Sequence, residues 1–199
     1  MTLISSFSDS LIEAGIDEAG RGALAGPVVA AAVILSRTSE IEGINDSKKL
    51  TPQKRKELVL KIKMQAVAYA VSIVNHWEID KLNILNATFK AMNEAILNLK
   101  VKPELVLVDG NQFKNWCGIR HHCIIKGDQK FQSIAAASIL AKVTRDEIMM
   151  NLHQKYPLFN FAQNKGYPTK KHQELIKRNG ISIVHRKSFT QHYFQLTLY

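Results

Sequence analysis

Short apolar runs and longer stretches of helical period take turns along the chain. Leu11 to Asp17 reads as a short strand that runs into Asp17-Glu18-Ala19-Gly20-Arg21-Gly22. After Pro27, Val28 to Leu35 is an unbroken apolar run with several β-branched members. Its length and its Gly and Pro boundary favour a buried strand over a helix. Asn45 to Leu50 is polar and reads as a loop. Thr51 then supplies an N-cap with Pro52 at the first helical position, so a helix is expected to about Gln65. Ala66 to Val74 is a third strand. From Trp77 to Leu99 the apolar positions follow a helical period, with a break near Asn83. Glu104 to Asp109, stopped by Gly110, and His121 to Ile125 complete five strands. The strongest helical stretch is Lys130 to Gln154, closed by Pro157. A loop through Lys165-Gly166-Tyr167-Pro168 leads to a last helix, Thr169 to Arg178, with Gly180 as its C-terminal cap. Two adjacent strands followed by alternation predict an α/β fold: a five-stranded mixed sheet with helices on both faces, then a helical tail.

Charge adds a class of partner to that outline, because the excess is basic and unevenly placed. The formal net charge is +10, and the stretch from Asn151 onward carries eight Lys and Arg against the single acid Glu174. A phosphate-bearing partner, nucleic acid rather than a membrane, suits such a surface. No apolar run approaches the ~20 residues of a membrane-spanning helix, and no signal peptide is evident. Cys117 and Cys123 have no metal-ligand partners at useful spacing, as in a reduced, cytoplasmic protein. The same holds for His121 and His122, which alternate across a strand.

Four acids follow strand ends on this map. Asp17 and Glu18 close the first strand, Asp109 the fourth, and Asp128 follows the fifth. Ligands of an open α/β sheet collect beyond the carboxyl ends of its strands. Carboxylates gathered there repel one another unless a cation joins them, and an all-oxygen set suits Mg2+ or Mn2+. Each acid alone reads equally well as a turn former. Neighbours in a strand also point to opposite faces, so Asp17 and Glu18 can share a site only if the strand ends or bends there; Gly20 and Gly22 would allow a bend.

Seven blocks, in order along nearly the whole chain, resemble the ribonuclease HII family. They are Asp17-Glu18-Ala19-Gly20-Arg21-Gly22, Asn45-Asp46-Ser47-Lys48-Lys49-Leu50, Val108-Asp109-Gly110, Lys126-Gly127-Asp128, Ala136 to Asp146, Lys165-Gly166-Tyr167 and His185-Arg186-Lys187-Ser188-Phe189. The resemblance implies an RNase H-like fold: a single catalytic domain over 1–199, with an α/β core over about 10–156 and a basic C-terminal helical segment over about 157–199. It implies two-metal-ion hydrolysis by water, 5′ to a ribonucleotide in a hybrid or in duplex DNA, leaving 3′-hydroxyl and 5′-phosphate ends. Asp17, Glu18, Asp109 and Asp128 would be both catalytic and metal-binding, with Mn2+ or Mg2+ as cofactor. Gly20, Arg21 and Gly22 would read the 2′-hydroxyl, and Tyr167 would pack on the sugar that follows. Ser47, Lys48 and Lys49, ahead of a helix, would meet phosphate.

Without the family, Gly-x-Gly is a plain turn, Tyr167 a surface anchor, and the lysine loop a solvated cap. Asp146 reads as a local ion pair or cap, Ser138 as a residue bonding inward from a packed stretch, and His185 as structural or phosphate-adjacent. A monomer in the cytoplasm is expected. The rival readings are an RNase H-like nuclease for DNA flaps or junctions, and a basic hybrid-binding protein whose acids are structural.

Overall fold

A computed structural model describes residues 3–45, 47 and 50–193. The five strands are β1 (Glu13–Ala19), β2 (Val28–Leu35), β3 (Ala66–Val74), β4 (Leu105–Asp109) and β5 (Arg120–Ile124), in the spatial order β3-β2-β1-β4-β5. β1 pairs antiparallel with β2 and parallel with β4; β2–β3 is antiparallel and β4–β5 parallel. The sheet is therefore mixed, as the strand order along the sequence predicts. The helices are α1 (Pro52–Gln65), α2 (His76–Leu82), α3 (Ile84–Leu97), α4 (Gln132–Lys155), α5 (Phe161–Asn164), α6 (Lys170–Asn179) and α7 (Lys187–Thr190).

The run Val28 to Leu35 is apolar throughout because it is buried on both faces. Val28, Ala30, Ala32 and Ile34 face the layer formed by α2 and α3, with Ala87, Ala91 and Met92. Val29, Ala31 and Val33 face α1 and α4, with Leu58, Ile62, Ala136 and Leu140. Burying each Val, Leu or Ile contributes roughly 1.5–3 kcal/mol. Small side chains set how near the layers come: a Cβ at Gly15 of β1 would lie 2.2 Å from the Ser133 backbone carbon of α4. The helical stretch after β3 does split at Asn83, whose φ of 64° takes it out of helical geometry while its side chain accepts from the Asn86 N–H. Thr51 caps α1 as expected, accepting from the Lys54 N–H.

The C-terminal segment has its own apolar centre, in which Phe159, Phe161, Ile176 and Val184 close over Leu24, Ala25 and Met149. Two arginines with no measurable exposure fasten it to the loop between β1 and β2. Arg145 of α4 donates to the carbonyls of Pro27 (2.9 Å), Lys165 (2.9 Å) and Ala25 (3.2 Å). Arg186 donates to those of Gly26 (3.0 Å), Arg21 (2.9 Å) and Pro27 (3.0 Å). Burial and the neighbouring Arg145 guanidinium pull Arg186 down to about 9, so it stays charged at neutral pH. Asp80 of α2 adds a second tie by accepting from the N–H groups of Lys187 and Ser188 at the start of α7.

Replacing Arg186 with Met keeps the volume and removes the donors. Stability should then fall by about 3 kcal/mol or more, since buried carbonyls lose their partners. A urea denaturation curve measures this; a loss below about 1 kcal/mol would mean that water replaces the guanidinium.

Candidate active site

β1 continues two residues past Asp17 and stays paired with β2 through Ala19, where Ala19 faces Val29. Its pairing with β4 stops earlier, at Ile16 and Val108, because β4 ends at Asp109. The expectation that the strand ends or bends at the paired acids is thereby corrected. The sheet instead parts between β1 and β4, and the part of β1 beyond Ile16 has an open side. Asp17 lies on the α4 face and Glu18 on the other, and both reach the gap. The Glu18 N–H, which makes no bond to β4, donates to Asp17 Oδ1 at 2.7 Å.

The resulting cleft, about 430 Å³, is lined by Asp17, Glu18, Asp109, the turn Gly20-Arg21-Gly22, Ser47, Ser138, Lys142 and Tyr167. Eight of the residues assigned to the site from the sequence thus share one cavity. Asp109 is fixed by the Gly127 N–H, which donates to its Oδ1 at 2.7 Å. Asp128, one residue on, is buried in the turn Gly127–Gln129 and does not line the cleft. Lys48, Lys49 and Asp46 lie outside the described residues. Ser47 reaches the cleft, but its hydroxyl is 2.9 Å from that of Ser138 and its carbonyl accepts from Arg55.

The electrostatics are those of an uncompensated acidic site. Asp17 is held well above the usual carboxylate range by burial, then by repulsion from Glu18 and Asp109; hydrogen bonds from Ser138 and the Glu18 N–H oppose this. Glu18 is raised by burial and by Asp109, and lowered by Arg21. Arg21 is half exposed and 3.4 Å from Glu18, so it offers a weak, screened partner. Lys142 is committed to Asp146 at 2.6 Å, one helical turn away, which is the local pair expected of Asp146; Arg55 stands 3.9 Å from the same carboxylate.

Among the described residues no three acidic, histidine or cysteine side chains already enclose an ion. The donor set nevertheless fits a hard divalent cation. It is all oxygen, two of its members carry raised pKa values, and the nearby cations leave the charge unbalanced.

Three residues of the site carried little signal alone. Ser138, Lys142 and Arg145 recur at helical spacing (i, i+4, i+7), which puts them on one face of α4. Ser138 bonds inward as expected. Arg145 lies 5.0 Å from the centre of the Tyr167 ring, with the Lys142 ammonium at 5.8 Å. Arg145 also explains Gly20, which has φ +100° and where a Cβ would fall 2.0 Å from Arg145 Nε. His185 proves buried, with His172 as its partner, and so belongs to the packing rather than to a phosphate surface.

The family model described as ribonuclease HII matches residues 14–197. Ribonuclease HII of Parabacteroides distasonis is 54% identical over 187 residues, 94% of each chain. The crystal structure of ribonuclease H2 from Pyrococcus horikoshii OT3 superposes with a TM-score of 0.77 at 28% identity, covering 92% of this chain and 97% of that one. Bst-RNase HIII, solved in complex with Mn2+, shares the fold with a TM-score of 0.75 at 22% identity, over 95% of this chain and 71% of its own.

The raised Asp17 pKa has a consequence for stability. Its native carboxyl binds a proton more tightly than the unfolded one, so stability falls as pH rises from the ordinary carboxylate value through the raised one, and the whole cost is present above it. Asp17→Asn should therefore stabilise the metal-free protein at pH 7 by about 1 kcal/mol, some 2–4 °C in Tm, while abolishing any rise in Tm on adding Mn2+. Thermal melts with chelator and with Mn2+ check both; a lower Tm in chelator would show that the charge is well solvated.

Proposed function

The chain belongs to the ribonuclease HII family, and we propose that it cuts on the 5′ side of ribonucleotides embedded in duplex DNA, leaving 3′-hydroxyl and 5′-phosphate ends. The coarser activity comes with the family: the chain is a metal-dependent phosphodiester hydrolase that cleaves the RNA of RNA–DNA hybrids. The observation that carries the finer reading is that one cleft holds both Gly20-Arg21-Gly22 with Tyr167 and the acids Asp17, Glu18 and Asp109. Groups suited to sense the sugar and groups suited to act on its phosphate would thus serve one cleft.

Asp17, Glu18 and Asp109 would hold the cation, and Asp128 joins them on the strength of its motif alone. A pair of Mg2+ or Mn2+ ions, when bound, supplies a water nucleophile at neutral pH and charge stabilisation for the leaving oxygen. The chain's own part is to hold its groups still. Ser138 and the Glu18 N–H fix Asp17, and the Gly127 N–H fixes Asp109. The Gly20-Arg21-Gly22 turn is held from behind by Arg186 on the Arg21 carbonyl. At Gly22 a Cβ would meet nothing within 4 Å, which leaves open space for a 2′-hydroxyl that both donates and accepts. The Tyr167 ring offers a flat apolar surface to the next sugar, which favours a deoxyribose there over a ribose. Lys48 and Lys49, with Ser47, are assigned to phosphate contact.

The basic surface from residue 157 onward would extend the track along the duplex. Among the described residues no helix is long and apolar enough to cross a membrane. We take the chain to act as one catalytic domain, as a monomer, in the cytoplasm.

Asp109→Asn keeps the oxygen that accepts from Gly127, so folding should survive while cleavage falls by about a thousandfold or more. A gel of a duplex with one ribonucleotide, run with Mg2+, with Mn2+ and with chelator, measures this. Normal turnover by the variant, or equal cutting of an all-DNA duplex by the parent enzyme, would refute the assignment. Tyr167→Ala should lower cleavage of a lone ribonucleotide about tenfold more than that of a long hybrid; equal losses on the two substrates would count against the sugar-packing role.

A further inference from the structure

Behind Tyr167, away from the cleft, lies a chain of hydrogen bonds to which the chemistry above assigns no task. His172 and His185 are 0 and 1% exposed. His185 Nδ1 lies 3.0 Å from the Ser182 backbone nitrogen and 2.7 Å from its hydroxyl. His185 Nε2 lies 3.1 Å from His172 Nε2. His172 Nδ1 lies 2.9 Å from the carbonyl oxygen of Tyr167.

The direction of every link follows from its ends. A backbone N–H can only donate, so His185 Nδ1 accepts and the proton of a neutral ring sits on Nε2. That proton is donated to His172 Nε2, which must then be bare, so His172 carries its own proton on Nδ1 and donates it to Tyr167. The carbonyl at the far end can only accept, so both ends require the same pair of tautomers. A further proton on either ring would destroy the fit. On His172 it would set two N–H groups face to face; on His185 it would oppose the Ser182 N–H.

The surroundings agree with two neutral rings. Phe159 and Phe161 pack against His185, and Phe161 against His172. Burial lowers the pKa of both; burial, His172 and His76 bring His185 to about 4 against an opposing backbone hydrogen bond at Ser182. The guanidinium of Arg186, next in sequence, points elsewhere, to the carbonyls of the β1–β2 loop.

We propose that His172 and His185 are positioning residues for Tyr167, holding its backbone so that the ring stands over the cleft where the sugar after the ribonucleotide arrives. The proposal rests on the reading of Tyr167 as the sugar-packing residue. Other bonds hold the same loop: the Tyr167 N–H donates to Asn164 at 2.9 Å, its carbonyl takes a second bond from the Thr169 N–H at 2.8 Å, and the neighbouring Gly166 carbonyl accepts from the Leu24 N–H at 2.7 Å. The ring itself has Arg145 against it, and Arg145 donates to Lys165 two residues earlier. The histidine chain is the link that ties this loop to Ser182, on the far side of α6. Selectivity between a lone ribonucleotide and a long hybrid would thus depend on residues that never touch substrate.

Two experiments test this. Long-range proton–nitrogen NMR of the 15N-labelled enzyme at pH 7 should show His172 as the neutral Nδ1–H tautomer and His185 as the neutral Nε2–H tautomer. A cationic ring, or the opposite tautomer at either site, would overturn the relay without any variant being made. His172→Phe fills the ring volume without a donor, and His172→Asn retains a donor near the Nδ1 position. The Phe variant should raise KM for a duplex with one ribonucleotide about fivefold to tenfold, with kcat and the KM for a long hybrid within about twofold of the parent. The Asn variant should recover a substantial part of that KM.

Equal damage from Phe and Asn, or a kcat loss shared by both substrates, would overturn the positioning role. Tyr167→Ala run alongside separates the two readings. If it leaves substrate preference unchanged, the sugar-packing role falls and the positioning role with it. If it shifts the preference and His172→Phe does not, the positioning role alone is wrong.

Discussion

Two buried guanidinium groups with main-chain carbonyls as their partners hold this enzyme's cleft in shape. Arg145 and Arg186 share the Pro27 carbonyl and between them take those of Arg21, Ala25, Gly26 and Lys165. A buried charge is costly unless its hydrogen bonds are met, and here carbonyl dipoles meet them without a carboxylate. The carbonyls meet the guanidinium donors with no further ion to bury, and the carboxylates of Asp146 and Asp80 act on the two cations through space.

The site itself follows from where the sheet comes apart. β4 ends at Asp109 while β1 goes on alongside β2, so the gap between two parallel strands opens at the residues that carry charge. Asp17 and Glu18 can stand on opposite faces of a regular strand and still share one cavity, because the cavity lies at the strand's open side. Their mutual repulsion is a debt against folding that a bound cation would cancel, so affinity for metal and poor stability without it have the same origin.

Much of this could be read from the residues in order. The double-sided burial of Val28 to Leu35, the cap at Thr51 with Pro52, the break at Asn83 and the stop at Gly180 each have a local cause, and each was found where local reasoning puts it. The acids at strand ends were legible because topology sends the ends of parallel strands to one edge. The course of β1 past Asp17 was not, since it depends on where the neighbouring β4 stops. The roles of Arg145 and Arg186 were also hidden. Their partners lie more than a hundred residues away for the β1–β2 loop, and a main-chain oxygen leaves no trace in the identity of its residue. Asp128 shows the opposite limit: its motif groups it with the other acids, while its burial in the turn after β5 sets it apart from the cleft surface.

The bond from Arg186 to Arg21 spans 165 positions. During synthesis the sheet and α4 are complete long before residue 186 leaves the ribosome, so the strands and acids are present while the glycine turn still lacks its rear support. The glycine turn therefore gains this support only once residue 186 has emerged, after the strands and α4. A nascent chain would thus hold its acids before the turn beside them is fixed in shape.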